Sequence, residues 1–295
     1  MIKIKVPATS ANIGSGFDSL GVALDLYNYI TFQESDKLKI TSNLPVLKNK
    51  QNLIYKCAKR VYDICGKPLG GLEIDEEIHI PMTRGLGSSS ACTVAGIMGA
   101  NALLKNPLSK QEVINLAATI EGHPDNSTPA IVGGFAAAVF KNGKVYYQRA
   151  GIAKKVAFVA FIPKFELKTK VARAAIPKEI PHSAAVFNLS RAALLSLALF
   201  SGNLHNIKEA VADKLHQPYR FPMIKNSEKL IKLTYEHGAL GTYLSGAGPT
   251  IISMIHADDT GFFDRVSAAV AEKYSAFEPV YLQACDTGAK VIQTV

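Results

Sequence analysis

Apolar and polar residues alternate in four stretches of the first half of the chain, and this pattern predicts β-strands with one buried face. The four predicted strands are residues 2–6, 20–33, 38–42 and 71–80. Other stretches repeat apolar or small side chains at intervals of three and four, which indicates helices. The predicted helices are residues 52–65, about 91–104, and 109–122, the last beginning with a Ser109–Glu112 capping-box pattern. A strand hairpin over residues 130–150 is predicted to close this half.

A second group of elements follows from Val156 onward. Its predicted strands are residues 156–162, 241–245, 250–257, 279–284 and 289–294. Its predicted helices are residues 183–201, about 206–215, 226–237 and 259–274. Helices and strands are grouped rather than alternating one for one, which is typical of the α+β class. We therefore predict an α+β fold in two domains, residues 1–152 and residues 153–295, with the boundary near 150–155.

Composition narrows the class of protein but not its ligand. The chain has 295 residues, 48% hydrophobic and 19% charged, as expected for a globular protein with one large or two medium domains. Its net charge of +9 suits nucleic acid or a phosphorylated metabolite equally, because lysines and arginines are dispersed with no run longer than two. The longest apolar run, residues 192–200, is too short to span a bilayer, so no membrane partner is expected.

The cysteines and the N-terminus point to one compartment. The four cysteines have neither metal-like nor disulfide-like spacing, and most lie in apolar or small-residue segments. The first residues read as a strand rather than as a cleavable leader. A cytoplasmic protein with reduced thiols is therefore predicted.

The stretch PMTRGLGSSSAC, residues 81–92, places two glycines and three serines between a predicted strand and a predicted helix. One interpretation is an ordinary turn with a serine at the start of the helix. The other is a phosphate-binding loop, because glycines permit close backbone approach and a helix N-terminus favours anions. The stretch fits neither the Walker pattern nor the dinucleotide-binding fingerprint.

Three further loops concentrate polar residues between predicted elements. They are PATSANIGSGFDSLG (7–21), EGHPDNSTPAIVGG (121–134) and SGAGPT (245–250). Each is explained by a turn, and each could also present carboxylates, amides or a histidine to a polar ligand. Arg173 and Arg220 stand singly beside proline-containing turns; lone arginines are usually surface charges, but two that converge would bind a carboxylate.

Taken in this order, these segments resemble the GHMP superfamily, the small-molecule kinases named after galactokinase, homoserine kinase, mevalonate kinase and phosphomevalonate kinase. Its marker, Pro-X-X-X-Gly-Leu-Gly-Ser-Ser-X-Ala, is met from Pro81 to Ala91. The other loops, with TKVARAAIP and LHQPYR, are most similar to the homoserine kinase branch, and the resemblance covers about residues 5–290. It implies an N-terminal half like a ribosomal-protein domain and a ferredoxin-like C-terminal half. It also implies ATP-dependent phosphorylation of L-homoserine to O-phospho-L-homoserine, in threonine biosynthesis, with Mg²⁺.

The resemblance further implies roles for particular residues. Nucleotide-binding residues would be Asn52, Pro81, Met82, Thr83, Arg84, Gly85, Leu86, Gly87, Ser88, Ser89, Ser90, Ala91 and Cys92. Ser89 (or Ser88) and Glu121 would bind Mg²⁺, the serines also capping the helix. Substrate-binding residues would be Asn12, Asp18, His123, Asp125, Asn126, Thr169, Arg173, Arg220 and Gly246. Asn126 and Asp18 would lie at the reacting hydroxyl. Since an asparagine cannot accept a proton, either Asp18 is the base or the proton passes to a phosphate oxygen.

Two rival functions remain open at this point. A sister kinase acting on another small alcohol, such as mevalonate, would also use an arginine pair, although the set Asn12, His123 and Asp125 favours a substrate with an amine. A non-catalytic RNA-binding module would suit the net charge, but it calls for clustered basic residues and aromatic platforms. The expected partners are therefore L-homoserine and ATP, with no nucleic acid. Because the superfamily often forms dimers, a homodimer is an expectation as well.

Overall fold

A computed structural model describes residues 1–294 as two β-sheets with helices packed against them. The strands are β1 (Ile2–Ala11), β2 (Leu20–Ser35), β3 (Lys39–Ser42), β4 (Gly71–Glu77), β5 (Phe135–Lys141), β6 (Lys144–Ala150), β7 (Val156–Pro163), β8 (Gly241–Leu244), β9 (Ile251–His256), β10 (Phe277–Gln283) and β11 (Lys290–Thr294). The helices are α1 (Leu53–Ile64), α2 (Ser88–Leu103), α3 (Lys110–Glu121), α4 (Ser127–Val132), α5 (Thr169–Ala174), α6 (His182–Ser201), α7 (Ile207–Ala210), α8 (Gln217–Arg220), α9 (Ser227–Glu236) and α10 (Phe262–Lys273).

The first sheet has seven strands in the order β11-β1-β2-β4-β3, with the β5–β6 hairpin attached to β2. Its two central strands, β1 and β2, pair antiparallel, and their register shifts between Pro7 and Ala8. A bulge suits this point because Pro7 has no N–H to donate to the ladder. Strand β1 leads directly into the loop that begins at Asn12, so the sheet fixes that loop in space.

Helix α2 is the central helix of the N-terminal half. It is apolar or small on all sides, as expected for a helix buried on all faces. Gly99 lies against the ring of Phe32, and Gly96 lies against the backbone of Ile54 on α1. These close approaches hold α2 between the sheet and α1, and they fix where its N-terminus points.

The second sheet has four antiparallel strands in the order β10-β7-β9-β8. With α5 to α9 between β7 and β8, and α10 between β9 and β10, this is the βαββαβ arrangement of ferredoxin-like domains. The predicted two-part α+β fold with a ferredoxin-like second half is thus confirmed.

Some elements differ from the sequence prediction. Helix α2 begins at Ser88 rather than about residue 91, and residues 130–132 belong to α4 rather than to a strand. The predicted helix 206–215 is wrong: α7 ends at Ala210 and α8 begins only at Gln217. Between them the Asp213 carboxylate accepts three backbone N–H groups, an interaction that competes with helix formation. Helix α5 was not predicted.

The last strand crosses from one half of the molecule to the other. Strand β11 pairs antiparallel with β1 in the N-terminal sheet, from Lys5 with Lys290 to Ile2 with Thr294. The sheet of the predicted domain 153–295 therefore does not include β11, while the boundary at 152 and 153 stays a prediction.

Helix α6 carries the apolar run at residues 192–200 within a helix of 20 residues. By length and composition alone it could cross a membrane, a test that core helices of soluble proteins also pass. The nine-residue run alone is too short to span a bilayer, whereas the whole helix is not. On its inner side, Leu195, Ala198 and Leu199 are buried in the core.

Candidate active site

A cavity of about 390 Å³ opens where the loops of both halves meet. Its wall comes from the loop after β1, the loop before α2, the turn between α3 and α4, helix α5, Arg220 on α8 and the turn between β8 and β9. The nine predicted substrate residues all line it: Asn12, Asp18, His123, Asp125, Asn126, Thr169, Arg173, Arg220 and Gly246. Of the predicted nucleotide residues, Thr83, Arg84, Gly85, Gly87, Ser88, Ser89 and Ser90 line it, whereas Asn52, Pro81, Met82, Leu86, Ala91 and Cys92 do not.

The glycine loop presents a row of backbone donors. The carbonyls of Arg84, Gly85 and Leu86 are held by donors on the surrounding scaffold, namely Thr250 N–H at 3.1 Å, the Ser245 hydroxyl at 2.6 Å and Thr9 N–H at 3.1 Å. By contrast, the backbone N–H groups of residues 85–90 donate to no acceptor within residues 1–294. Unpaired donors at a helix N-terminus suit anions, so this end of the cavity could hold a phosphate group.

The N-cap of α2 is Gly87, in the left-handed conformation with φ of 69°. The prediction that serines cap this helix is wrong, because Ser88, Ser89 and Ser90 form its first turn and no side chain caps it. Glycine is suited to this position since its left-handed φ costs little without a Cβ. The serine hydroxyls are therefore free for other contacts near the phosphate end.

Glu121 ends α3 at the same end of the cavity, where its carboxylate accepts a short hydrogen bond from the Ser90 hydroxyl. Burial raises the pKa of Glu121, and a hydrogen bond from Ser90 opposes that rise. Ser89 lies exposed on the cavity wall beside them. A buried carboxylate with hydroxyl oxygens is a donor set that suits Mg²⁺ beside phosphate oxygens, so these residues fit the ion.

Asn52 is the N-cap of α1 and is buried. Its side-chain oxygen accepts from Tyr55 N–H at 3.1 Å, and its amide nitrogen donates to the Glu76 carboxylate at 2.7 Å. Burial is the main cause of the raised pKa of Glu76. The neighbouring Leu53, and not Asn52, lines the cavity, so an adenine contact by Asn52 stays a prediction.

At the opposite end, the loop after β1 is held by Asn12. Its side-chain oxygen accepts from Asp18 N–H at 2.9 Å, and its amide nitrogen donates to the Gly246 carbonyl at 2.8 Å. Both Asn12 and Asp18 adopt positive φ values, 67° and 53°, which asparagine and aspartate tolerate better than other residues. Asn12 thereby ties the Asp18 loop to the turn between β8 and β9.

Arg220 is buried, yet no carboxylate pairs with it within the described residues. It donates to the carbonyls of Ala172 at 3.2 Å and Gly246 at 3.1 Å. It also bonds at 3.1 Å to Nδ1 of His216, whose Nε2 bonds to the Gly14 carbonyl at 2.8 Å. Burial lowers the pKa of His216, so a neutral ring donates through Nε2 and accepts through Nδ1.

The electrostatic consequence is a buried cation that lacks an anionic partner. Burial, and then the neighbouring Arg173, lower the pKa of Arg220 to about 10. A buried charge is costly unless it is paired, so this side of the cavity calls for an anionic group from a ligand.

Arg173 differs because it already has a carboxylate partner. Its two terminal nitrogens donate to the two oxygens of Asp18 at 2.8 and 3.0 Å, which raises the pKa of Arg173. The pair is half exposed on the cavity wall. Arg173 and Arg220 both pack on the ring of Phe17, 5.6 and 5.5 Å from its centroid, so the two guanidinium groups converge.

The turn between α3 and α4 supplies the third wall. Nδ1 of His123 lies 2.6 Å from the buried carboxylate of Asp125, and this bond raises the pKa of His123. The next residue, Asn126, accepts through Oδ1 from the hydroxyl of Thr9 at 2.9 Å. The Asn126 Nδ2 group donates to Oδ1 of Asp125 at 3.4 Å and keeps a second hydrogen that a ligand could accept.

The sequence prediction missed two groups of residues. Leu53, Thr93, Ile120 and Ala247 also line the cavity. Thr9 and His216 do not line the cavity but form hydrogen bonds to Asn126 and Arg220, which do. Both lie in segments that carry the family resemblance, PATSAN and LHQPYR. Their supporting roles follow from distances across the fold, which no local pattern contains.

Comparison with known proteins identifies the family of the chain. The sequence signature of the GHMP kinase N-terminal domain matches residues 52–134, and that of the GHMP kinase C-terminal domain matches residues 192–276. The chain belongs to the GHMP kinase family. A protein of Caldicellulosiruptor saccharolyticus named homoserine kinase is 45% identical, over 99% of this chain and 96% of that protein. Another of that name from Clostridium beijerinckii is 42% identical over 99% of each chain.

A solved structure shares the whole architecture of this GHMP kinase. The crystal structure of homoserine kinase from Cytophaga hutchinsonii superimposes with a TM-score of 0.88 at 28% identity, over 99% of this chain and 97% of that one. GHMP kinases use ATP, and the unpaired N–H groups of the cavity-lining residues Gly85 and 87–90 are where this chain can hold its phosphates.

Proposed function

We propose that this GHMP kinase transfers the γ-phosphate of ATP to the hydroxyl of L-homoserine and releases O-phospho-L-homoserine. The observation that carries the proposal is the buried and carboxylate-free Arg220 at one end of a cavity whose other end is a row of free backbone N–H groups. Such a cavity suits a small acid at one end and a polyphosphate at the other. The names of the full-length relatives support homoserine as that acid.

The nucleotide end needs little side-chain chemistry. The N–H groups of the glycine loop and the dipole of α2 would hold the phosphates of ATP. Ser89 and Glu121 would bind Mg²⁺, and Ser90 would orient the Glu121 carboxylate. The ion, when bound, would neutralise charge on the transferred phosphate. Leu53, and by the family resemblance Asn52, would lie nearest to the base.

The substrate end is proposed to recognise both charged groups of an amino acid. Arg220 and Arg173 would hold the carboxylate, with Thr169 beside them on the cavity wall. To do so, Arg173 must exchange its present partner, Asp18, for the substrate carboxylate. The carboxylate of Asp125, oriented by His123, would face the substrate amine. Mevalonate has a carboxylate but no amine, so Asp125 favours homoserine over it.

Transfer itself would depend on position rather than on a strong base. Phosphoryl transfer has a loose transition state and is accelerated mainly by alignment and electrostatic stabilisation. Asn126 would donate its second Nδ2 hydrogen to the reacting oxygens, because the bonds to Thr9 and Asp125 orient the amide. Asp18, released from Arg173 by the substrate, would be free to accept the hydroxyl proton; otherwise the proton passes to a phosphate oxygen.

Coupled ADP release with MgATP tests the proposal, using L-homoserine and mevalonate as alternative acceptors. Homoserine-dependent turnover is expected, and Arg220→Leu should raise the KM for homoserine about 30-fold or more by removing a charged hydrogen-bonding partner. Asn126→Ala should instead lower kcat. The matched control is Arg60→Leu, which removes an exposed arginine on α1 and should change neither constant.

Two results would contradict the proposal in different ways. Turnover with mevalonate but not with homoserine would keep the kinase and discard the substrate. Absence of turnover with either alcohol, together with salt-sensitive RNA binding, would revive the hypothesis of an RNA-binding module.

We further propose that the enzyme is cytoplasmic, which is supported by the four cysteines that form no disulfide in the described chain. We propose no nucleic-acid or membrane partner. We also propose a homodimer.

A further inference from the structure

The guanidinium group of Arg220 meets only uncharged acceptors within the described residues. Its Nε donates to the Ala172 carbonyl at 3.2 Å, and its Nη1 donates to the Gly246 carbonyl and to Nδ1 of His216, both at 3.1 Å. Nη2 has no acceptor within residues 1–294. Because Arg220 lines the cavity, the two hydrogens of Nη2 are the donors that remain for a ligand.

The ring of His216 has one protonation state that satisfies both of its contacts. Nε2 lies 2.8 Å from the Gly14 carbonyl oxygen, which can only accept, so Nε2 carries a hydrogen. A guanidinium group can only donate, so Nδ1 presents a lone pair to Arg220. The Asp213 carboxylate lies 3.7 Å from Nε2, beyond hydrogen-bonding distance. The ring is therefore a neutral acceptor for Arg220.

The position of this ring is fixed from several sides. The backbone N–H of His216 donates to the Asp213 carboxylate at 2.9 Å, and the bond from Nε2 ties the ring to Gly14 in the loop after β1. The ring also stacks on Phe17, with 5.3 Å between the ring centroids and an interplanar angle of 22°. The buried ring therefore offers Nδ1 in one direction only, and that direction sets the orientation of Arg220.

The neighbouring carboxylate of Asp213 does not take the place of His216 as a partner of Arg220. Each of its two oxygens already accepts two hydrogen bonds. The donors are the backbone N–H groups of Leu215, His216 and Gln217 and the side-chain amide of Asn188. A carboxylate offers about four lone-pair sites, so these donors satisfy it. The positive charge of Arg220 is thus oriented by an imidazole and left without an anion in the described chain.

We infer that His216 is a positioning residue for Arg220, which holds the guanidinium group with Nη2 toward the substrate carboxylate without neutralising its charge. The inference rests on the proposed binding of the homoserine carboxylate by Arg220. A neutral acceptor orients the group but does not compete with the substrate for its charge. Arg173 shows the opposite arrangement, because Asp18 already occupies its two terminal nitrogens.

Steady-state kinetics with MgATP and L-homoserine give the first test. His216→Phe keeps a ring on Phe17 but removes the acceptor, so the KM for homoserine should rise about 10-fold with little change in kcat. His216→Asn places an amide oxygen as many bonds from Cα as Nδ1 and should restore the KM. His216→Asp places a carboxylate there and should raise the KM again, because it would compete with the substrate for Arg220. The matched control is His205→Phe, at an exposed histidine, which should leave the KM unchanged.

A double-variant cycle distinguishes positioning from a general loss of structure. In Arg220→Leu there is no guanidinium group to position, so adding His216→Phe should leave the KM of Arg220→Leu unchanged. A further rise in the double variant would overturn the inference, and so would equal KM values in His216→Phe and His216→Asn. Circular dichroism would verify that the variants are folded. If His216→Phe does not fold, the comparison of His216→Asn with His216→Asp decides, and equal KM values there would also contradict the inference.

Nitrogen NMR of the histidine rings, without substrate, separates this inference from the proposed substrate. At neutral pH the ring of His216, assigned by the loss of its signals in His216→Asn, should carry its hydrogen on Nε2. In Arg220→Leu it should take up a second proton at a higher pH than in the wild type, because the neighbouring cation is gone while Asp213 remains. A hydrogen on Nδ1, or a titration that Arg220→Leu does not move, would overturn the contact. The expected spectra without homoserine turnover would overturn the role toward homoserine together with the proposed function, and leave the orientation of Arg220 established.

Discussion

The two ends of the cavity are built in different ways. The proposed nucleotide end takes its backbone N–H donors from one continuous stretch, residues 85–90, and side chains such as Glu121 join it from other segments. The proposed substrate end is assembled from five segments that are far apart in sequence, four of which contribute side chains while the fifth contributes the backbone of Gly246. One end therefore depends on the course of the backbone, and the other depends on how the two halves of the molecule meet.

This difference determines which substitutions each end tolerates. A backbone site survives changes of side chain but is sensitive to any added atom that moves the chain. A side-chain site is sensitive to the loss or rotation of a single polar group, because Asn12, His123 and Arg220 each depend on a hydrogen bond to another segment or residue. Predictions at the two ends should accordingly differ in kind.

The largest effect is expected from Gly87→Ala at the nucleotide end. Gly87 has a φ of 69°, and a Cβ there would lie 1.9 Å from the Thr9 hydroxyl. Strain and overlap together should cost about 3 kcal/mol of unfolding free energy. Displacement of the loop should reduce kcat/KM for ATP at least about 100-fold. Chemical denaturation and ADP release would measure the two effects.

Gly66→Ala is the matched control for this substitution. Gly66 also has a positive φ, 63°, but an added Cβ meets nothing within 4 Å. Gly66→Ala should lower the free energy of unfolding by about 1 kcal/mol and leave the kinase activity unchanged. Equal ATP affinity in Gly87→Ala and in the wild type would contradict the view that the backbone of this loop holds the phosphates.

A smaller effect is expected from Thr9→Val at the substrate end. The substitution keeps the shape of the side chain but removes the hydroxyl that holds Oδ1 of Asn126. The amide can then rotate, so kcat should fall about 10-fold or more while both KM values change little. Thr9→Ser keeps the hydroxyl and should restore kcat, which a purely structural role of the methyl group would not allow. Equal loss in both variants would contradict this positioning role.

The same comparison explains what could be predicted from the sequence. Local patterns predict the glycine loop, the capping box at Ser109 and the succession of strands along the chain. The ends of these elements in the structure lie within a few residues of the predicted ones. The serines of the loop were wrongly expected to cap α2, because a glycine in the left-handed conformation is equally able to begin a helix.

What could not be predicted depends on contacts across the fold. Nothing near Thr9 indicates that its hydroxyl reaches Asn126, which lies 117 residues away, and nothing near β11 indicates that it pairs with β1. The break between α7 and α8 also involves a distant contact, because the Asp213 carboxylate in that break accepts a hydrogen bond from Asn188 of α6. Such residues are chosen by tertiary packing, which overrides local propensity.

The smallest effect concerns the pH dependence of stability at the substrate end. Because its bond to Asp125 raises the pKa of His123 in the folded state, the pair stabilises the protein fully below the ordinary pKa of about 6.5. That contribution is lost as the pH rises through the raised value. His123→Gln should therefore reduce the unfolding free energy by about 1 kcal/mol more at pH 5.5 than at pH 9. His205→Gln, at an exposed histidine without a carboxylate partner in the described chain, should show no such difference. A His123→Gln deficit that grows with pH would mean that the ring is held neutral, and Asp125 would then face the substrate amine without an adjacent cation.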